Sequence, residues 1–254
     1  MREDQLLPLS LKVTNLTPLN LACLNYTTKF KRIEKGGRLF PVKMAENNNV
    51  KGTQPPTLPL GLVSSKEEDQ PTVVTQAMVL DNSCERSVDQ VKELVLRRQG
   101  VTGLEEECAK GMTHLEVLSL SHNKLVSLEH FENLSNLTEL NLNFNGIVSI
   151  SQLSCPQLRR LYLSSNRLCS LEDVARFPAL QTLCAFRNRI ESLDDAVRAL
   201  KPLKRLRELD LDGNPCSFDR RYRHYLVDQL PRVETLDGEP LAPLDKEVSL
   251  RKRY

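Results

Sequence analysis

Tryptophan is missing from the 254 residues, and aromatic side chains make up only 5% of them. That excludes a core organised around large rings, so Leu, Val and Ile have to supply it. Neither sign of charge dominates. With 35 basic and 33 acidic side chains the formal net charge is +2, too small to make the whole protein a polyanion binder. The seven cysteines, Cys23, Cys84, Cys108, Cys155, Cys169, Cys184 and Cys216, are odd in number and never stand at CxxC spacing. A disulfide framework and a zinc site are therefore not expected, and most of these cysteines read as small buried hydrophobes. A signal-peptide core or membrane span is also missing at the N-terminus, where Pro8, Lys12, Asn15, Pro18 and Asn20 interrupt every apolar stretch. The reading is a protein of the reducing cytoplasm without membrane contact. The sequons at Asn15, Asn25, Asn133 and Asn136 would then carry no glycan.

Signatures of catalysis are equally scarce. There are 10 glycines and no phosphate-cradling loop or nucleophile elbow. His114, His122, His130 and His224 occur without HExxH or a cysteine at ligand spacing, so they read as surface histidines rather than metal ligands. Glu105, Glu106 and Glu107 look like a carboxylate cluster but read as a solvated run in a connection. No enzymatic activity, metal or cofactor is expected.

What is present begins in the second half. Before it, residues 1 to about 80 mix isolated apolar positions with Pro55, Pro56, Pro59, Pro71, a Glu46-Asn47-Asn48-Asn49 run and the acidic Glu67-Glu68-Asp69. No period of 2 or 3.6 is sustained. Such a segment buries too little surface to offset its ordering entropy, so residues 1–83 are expected to be disordered. Met44 opens a more tail-like stretch, which would make residues 1–43 an optional upstream extension.

From residue 91 a pattern LxxLxLxxN recurs. It is met by Leu115, Leu118, Leu120, Asn123; by Leu137, Leu140, Leu142, Asn145; and by Leu158, Leu161, Leu163, Asn166. It returns with Leu180, Leu183, Ala185, Asn188 and with Leu206, Leu209, Leu211, Asn214, after a degenerate first copy of Val91, Leu94, Leu96 and Gln99. The Asn-to-Asn spacings are 22, 21, 22 and 26 residues, inside the roughly 20–29 of leucine-rich repeats. The fourth and sixth positions should point inward from a short strand, and the residues between them outward. An Asn amide donates and accepts at once, so a stack of them can satisfy backbone groups where the chain leaves each strand. Leu128, Ile150, Leu171 and Leu193, five residues after each Asn, should turn the chain back to the core. The expected fold is thus an α/β leucine-rich-repeat solenoid of five to six repeats over residues 84–241, with short parallel strands on its concave face.

The end of the solenoid needs a cover. Residues 217–230 offer a helix capped by Ser217 with Phe218, Tyr222, Leu226 and Leu230 on one face; Pro231 stops it, and Val233 to Asp237 give one more strand. The run DGNPCSFDRRYRHYLVDQLPRVETLDGEPL, residues 212–241, resembles the C-terminal cap of the cytosolic, SDS22-like repeat proteins. Asn214-Pro215, Tyr222, Leu230-Pro231 and Leu236-Asp237 carry the resemblance. That group includes the phosphatase-1 regulator, the U2 small nuclear ribonucleoprotein A-prime protein, dynein light chain 1 and centrosomal or axonemal relatives such as dynein regulatory complex subunits. The resemblance implies a helical cap and a protein-holding role. Residues 242–254 remain as a charged tail.

The outward columns carry the candidate binding residues. The fifth positions read Val95, Ser119, Asn141, Tyr162, Cys184, Asp210; the seventh read Arg97, Ser121, Asn143, Ser164, Phe186, Asp212. Arg97 and Arg98 mark one end of the face, and Glu208, Asp210 and Asp212 the other. Tyr162 and Phe186, with Phe144, Arg160, Arg187, Asn141, Asn143, Asp210 and Asp212, are expected to meet a partner, since aromatics beside Arg make binding hot spots. Phe144, just before an Asn, can instead tuck into the core. The expectation is a monomeric scaffold or adaptor gripping a helix or extended segment of another protein, with the resemblance pointing to cytoskeletal, centrosomal or ciliary machinery. Two alternatives stay open: a phosphatase-1 regulatory subunit, or a ribonucleoprotein subunit of the A-prime type that touches nucleic acid only indirectly. Arg220, Arg221, Arg223 and the terminal Arg251-Lys252-Arg253 speak for the latter.

Overall fold

A computed structural model describes residues 71–242. The alternating Leu-x-Leu of each repeat makes a three-residue strand: β2 (Glu93–Val95), β4 (Val117–Ser119), β5 (Glu139–Asn141), β6 (Arg160–Tyr162), β7 (Thr182–Cys184) and β8 (Glu208–Asp210). They pair in parallel in chain order, and β9 (Thr235–Leu236) continues the row before β10 (Glu239–Pro240) closes it antiparallel. Register is set by the fourth template position. Leu94, Leu118, Leu140, Leu161, Leu183, Leu209 and Leu236 are successive partners across the sheet, and each is at most 2% exposed. Burying a leucine is worth about 1.5–3 kcal/mol, and here each one is buried by the repeats on either side, so no repeat holds its core alone.

Leu128, Ile150, Leu171 and Leu193 are buried as expected. The convex side also uses two rings that the template does not announce. Phe131, in a 3-10 turn (Phe131–Asn133), and Phe177, just after another (Glu172–Arg176), are the largest fully buried side chains. In the 26-residue repeat the return becomes a helix, α3 (Leu193–Leu200), capped by Ser192, whose Oγ accepts from the Asp195 N–H at 3.1 Å. The four additional residues supply this longer return.

The N-terminal boundary differs from the expectation. Residues 71–83, read as part of a disordered segment, form β1 (Thr72–Val74) and α1 (Gln76–Asn82). β1 pairs in parallel with β3 (Val101–Leu104), Thr75 caps α1 by accepting from the Met78 N–H, and Val74 and Val79 are buried. The physical reason is that a solenoid's open end has to be covered. A three-residue strand and a seven-residue helix are too short to display a period. The expectation for residues 1–70 and for the tail after 242 lies outside the described residues. Glu106 and Glu107 sit in the first turn of α2 (Glu106–Gly111), exposed and paired with Lys110, and so belong to a helix rather than a connection.

At the other end the cap helix α4 is Tyr222–Gln229, shorter than read from sequence. Ser217 and Phe218 belong to a preceding 3-10 turn. Ser217 Oγ donates to the Asn214 carbonyl, and Phe218 is 82% exposed instead of facing the core. Because α4 begins four residues later, Phe218 never joins the stripe of Tyr222, Leu226 and Leu230, which does bury. Among the cysteines, Cys108, Cys155 and Cys216 are buried, but Cys84 and Cys169 are exposed and Cys184 half-buried. Cys23 is outside the described residues.

Candidate interaction surface

The asparagines hold the strand ends. Asn166 Nδ2 donates to Leu142 O (2.9 Å) and Leu163 O (3.0 Å), while its Oδ1 accepts from Ile147 N (3.0 Å). Asn145, Asn188 and Asn214 make the same three bonds in their repeats. Asn123 also donates to two carbonyls, Leu96 O and Leu120 O, and takes the N–H groups of Gln99 and Val101. Gln99, standing where a first Asn would, turns its amide to Asn82 of α1 instead.

One residue before each rung the backbone turns left-handed. Arg98, His122, Phe144, Ser165 and Arg187 have φ between 52° and 59°, and Gly213 has 71°. A non-glycine residue in this region is uncommon and costs of the order of 1 kcal/mol. Here five of six are non-glycine, and before Asn123, Asn145, Asn166 and Asn188 the rung bonds adjoin the turn. The turn lifts the eighth-position side chains, with those of the seventh, into a ledge along the strand ends. On this ledge the His122 and Phe144 rings stack at 4.2 Å with 12° between planes. Arg97 reaches His122 Nε2 at 3.1 Å. A guanidinium cannot accept, so that nitrogen takes the hydrogen bond. Burial, then the charges of Arg97 and Arg98, hold His122 below the usual histidine range. Further along, the Arg187 guanidinium lies 5.0 Å over the Phe186 ring, a cation–π pair.

The deeper columns behave differently. Tyr162, read as an outward contact, is 3% exposed, and Asn141 and Asn143 are 1% and 5% exposed. Side chains on the concave side of a curved sheet converge, so the central columns shield one another while the end position Val95 stays 45% exposed. The two asparagines are also engaged internally: Asn141 Oδ1 accepts from the Asn143 N–H, and Asn143 Oδ1 from the Ser164 N–H. Arg160 is half-exposed, but its Nε donates to Oε2 of the buried Glu139. Phe144 and Phe186 are half-buried, and Arg187 and Asp212 exposed. Phe144 lies against His122 and Phe186 against Arg187, two groups separated by the repeat of Ser164 and Ser165, whereas Tyr162, Asn141 and Asn143 are buried. His122 and Arg97 complete the ledge. The eighth-position column of the sequence already contains His122 beside Phe144 and Arg187, and only its histidine identity set it aside.

Acids close the late end. Asp210 is half-buried and its carboxyl is pushed up to about 7, chiefly by burial and then by the neighbouring Asp237. Asp237 is itself raised by burial. Among the described residues no group of three or more His, Cys, Asp or Glu is placed to hold a metal ion, and no helix is long and apolar enough to cross a membrane.

Comparison with known proteins agrees with this geometry. Residues 89–147 match the leucine-rich-repeat family model, and residues 135–176 match a model of two such repeats. Cilia- and flagella-associated protein 410 of Homo sapiens is 40% identical over 104 residues, 40% of this chain and 39% of that protein. Dynein axonemal assembly factor 11 of Danio rerio is 29% identical over 143 residues, 46% of this chain and 32% of that protein. The match therefore spans less than half of each relative's own length. Among solved structures, an internalin from Listeria monocytogenes shares the fold with a TM-score of 0.50 at 20% identity, covering 64% of this chain and 49% of that one. Residues 89–176 thus match leucine-rich-repeat models, and the described residues have the leucine-rich-repeat fold with a helical cap.

Proposed function

We propose that this domain is a non-enzymatic scaffold or adaptor that holds a helix or extended segment of a partner protein against the ledge of its concave side, within ciliary or cytoskeletal machinery of the cytoplasm. The observation that carries the reading is the row of side chains along the strand ends, with Arg97, His122 and Phe144 in one group and Phe186 and Arg187 in another. Its rings are already stacked against a neighbour and its backbone is fixed by the Asn rungs, so a partner meets a rigid surface that loses little entropy on binding. Aromatic and arginine side chains are the ones that dominate interface energies. The ciliary and axonemal names of the two relatives support the setting, and the low net charge suits a protein partner better than a phosphate backbone.

The ribonucleoprotein alternative has less behind it. Of the three cap arginines, Arg221 is paired with Asp219 and Arg223 lies 3.5 Å from Glu239, so their charge is largely used within the domain. The test is capture from extracts of ciliated cells with wild type, with Phe186→Ala and Arg187→Ala together, and with Arg220→Ala and Arg223→Ala together, each with and without ribonuclease. Loss of the captured proteins with the first pair alone, insensitive to ribonuclease, is the expected result. Each anchor is worth about 2 kcal/mol. Loss with the second pair, or with ribonuclease, would move the function to the cap.

A further inference from the structure

Neighbouring strands lie about 4.8 Å apart, but packed helices need about 8–10 Å. In the middle of the solenoid the returns are slim, two 3-10 turns and a plain turn between them. At the last two repeats both returns are helices, α3 and α4, and the convex side has to splay. Below their C-terminal ends a crevice of about 360 Å³ opens between the segments 201–206 and 229–233. Its apolar wall is Leu203, Leu206, Leu230 and Val233. Its charged side chains are Lys201, Lys204 and Arg232, and no acidic residue lines it.

These cations are exposed, and none has a carboxylate partner among the described residues. Nearby, Arg198 is paired with Asp195 and Arg207 with Glu234. Lys204 Nζ donates to Lys201 O at 3.2 Å and Arg232 donates to Lys204 O at 3.0 Å. These bonds satisfy carbonyls near the end of α3 and tether the side chains, and they leave the charges uncompensated.

We propose that this crevice is a second docking site, on the opposite side of the domain from the ledge, for a short acidic segment of a partner protein. One apolar side chain would sit against Leu203, Leu206, Leu230 and Val233, with flanking carboxylates on Lys201, Lys204 and Arg232. The volume lies at the small end of ligand sites, roughly 300–1,000 Å³, and so takes one anchor and not a whole helix. The apolar wall is recessed, where a flat bilayer does not reach it. The lining has no aromatic ring on which a nucleic-acid base could stack.

The experiment uses the full chain and a fluorescein-labelled peptide with one phenylalanine flanked on each side by two glutamates, read by fluorescence anisotropy. Expected is saturable binding that weakens with salt, as exposed charges require, and that is lost when the peptide's phenylalanine is alanine. Lys201→Glu with Lys204→Glu should weaken it about tenfold, two exposed attractions having become repulsions, while melting within a few degrees of wild type. The Phe186→Ala, Arg187→Ala protein should bind the peptide as wild type does, which separates this site from the ledge. Methyl NMR should show peptide-induced shifts at Leu203, Leu206, Leu230 and Val233. No saturable binding, equal affinity of the charge-reversed protein, or shifts confined to the ledge would each overturn the proposal. So would cosedimentation with phosphatidylserine vesicles through the same lysines when the peptide does not bind.

Discussion

The Tyr222 hydroxyl donates to Asp237 Oδ1 at 2.9 Å, and the same oxygen accepts the Leu211 N–H at 3.0 Å. One atom thus fastens the cap helix to the last full repeat, in the place where earlier repeats use a backbone carbonyl of the next strand, as the Ala185 N–H does with Asp210 O. Tyr222→Phe keeps the ring in its buried site and removes only the donor. Asp237 then loses a hydrogen bond that favours its charged form and keeps the one from the Leu211 N–H. The expected cost is about 1.5–3 kcal/mol, the range for a hydrogen bond to a charged group, seen as a lower urea midpoint with an unchanged slope. A midpoint equal to wild type would mean the bond does not hold the cap.

Asn166 offers a sharper test of the ladder. Asn166→Ala strands the Ile147 N–H and takes one of two donors from each of Leu142 O and Leu163 O, which keep the amides of Asn145 and Asn188. With one buried orphan and two weakened acceptors, the loss should be about 1–3 kcal/mol. Asn166→Asp, which keeps the acceptor but replaces the donor with charge against two carbonyls, should be at least as damaging. Thermal melts of both against wild type decide it.

The repeats, the inward leucines and the role of Asn were legible in the sequence because each rests on a period, and a period survives without coordinates. The N-terminal cover was not, since β1 and α1 together offer only Val74 and Val79 as fully buried apolar side chains. The left-handed turn before each Asn leaves little compositional mark either: His122, Phe144, Ser165 and Arg187 occupy it as well as Gly213. Template position told which way Tyr162 points but not how deep it lies. Depth depends on the neighbours across β5 and β7, here Asn141 and Cys184.

That depth changes what substitutions at the two candidate aromatics should do. Tyr162→Ala removes a nearly buried ring and should cost about 3–5 kcal/mol, as for other large aromatics. Phe186→Ala, half-buried on the ledge, should cost about 1 kcal/mol. Urea unfolding of the two single variants checks this. Comparable midpoints would show that Tyr162 is not the more deeply seated ring. Loss of a partner with Tyr162→Ala would therefore report damage to the face, and Phe186 is the cleaner probe of binding.

Asp210 should make the stability of the late end depend on pH. Its carboxyl is raised to about 7 in the folded protein, first by burial and then by Asp237, against an unfolded value in the ordinary carboxylate range. Between those values the native state binds more protons than the unfolded state, so the slope of unfolding free energy with pH is negative. Stability is fully present below the unfolded value and falls as pH rises through 7, where the folded carboxyl must ionise in a half-buried site beside Asp237 and Asp212. Asp237, shifted in the same direction, adds to the effect. Asp210→Asn keeps an acceptor for the Asp212 N–H, which now bonds Asp210 Oδ1 at 3.2 Å, and removes the ionisation. The variant should melt near wild type at pH 4 and above it at pH 8, with the gap opening between. Equal melting temperatures at pH 8, or a gap that closes as pH rises, would show that Asp210 ionises without penalty in the folded domain.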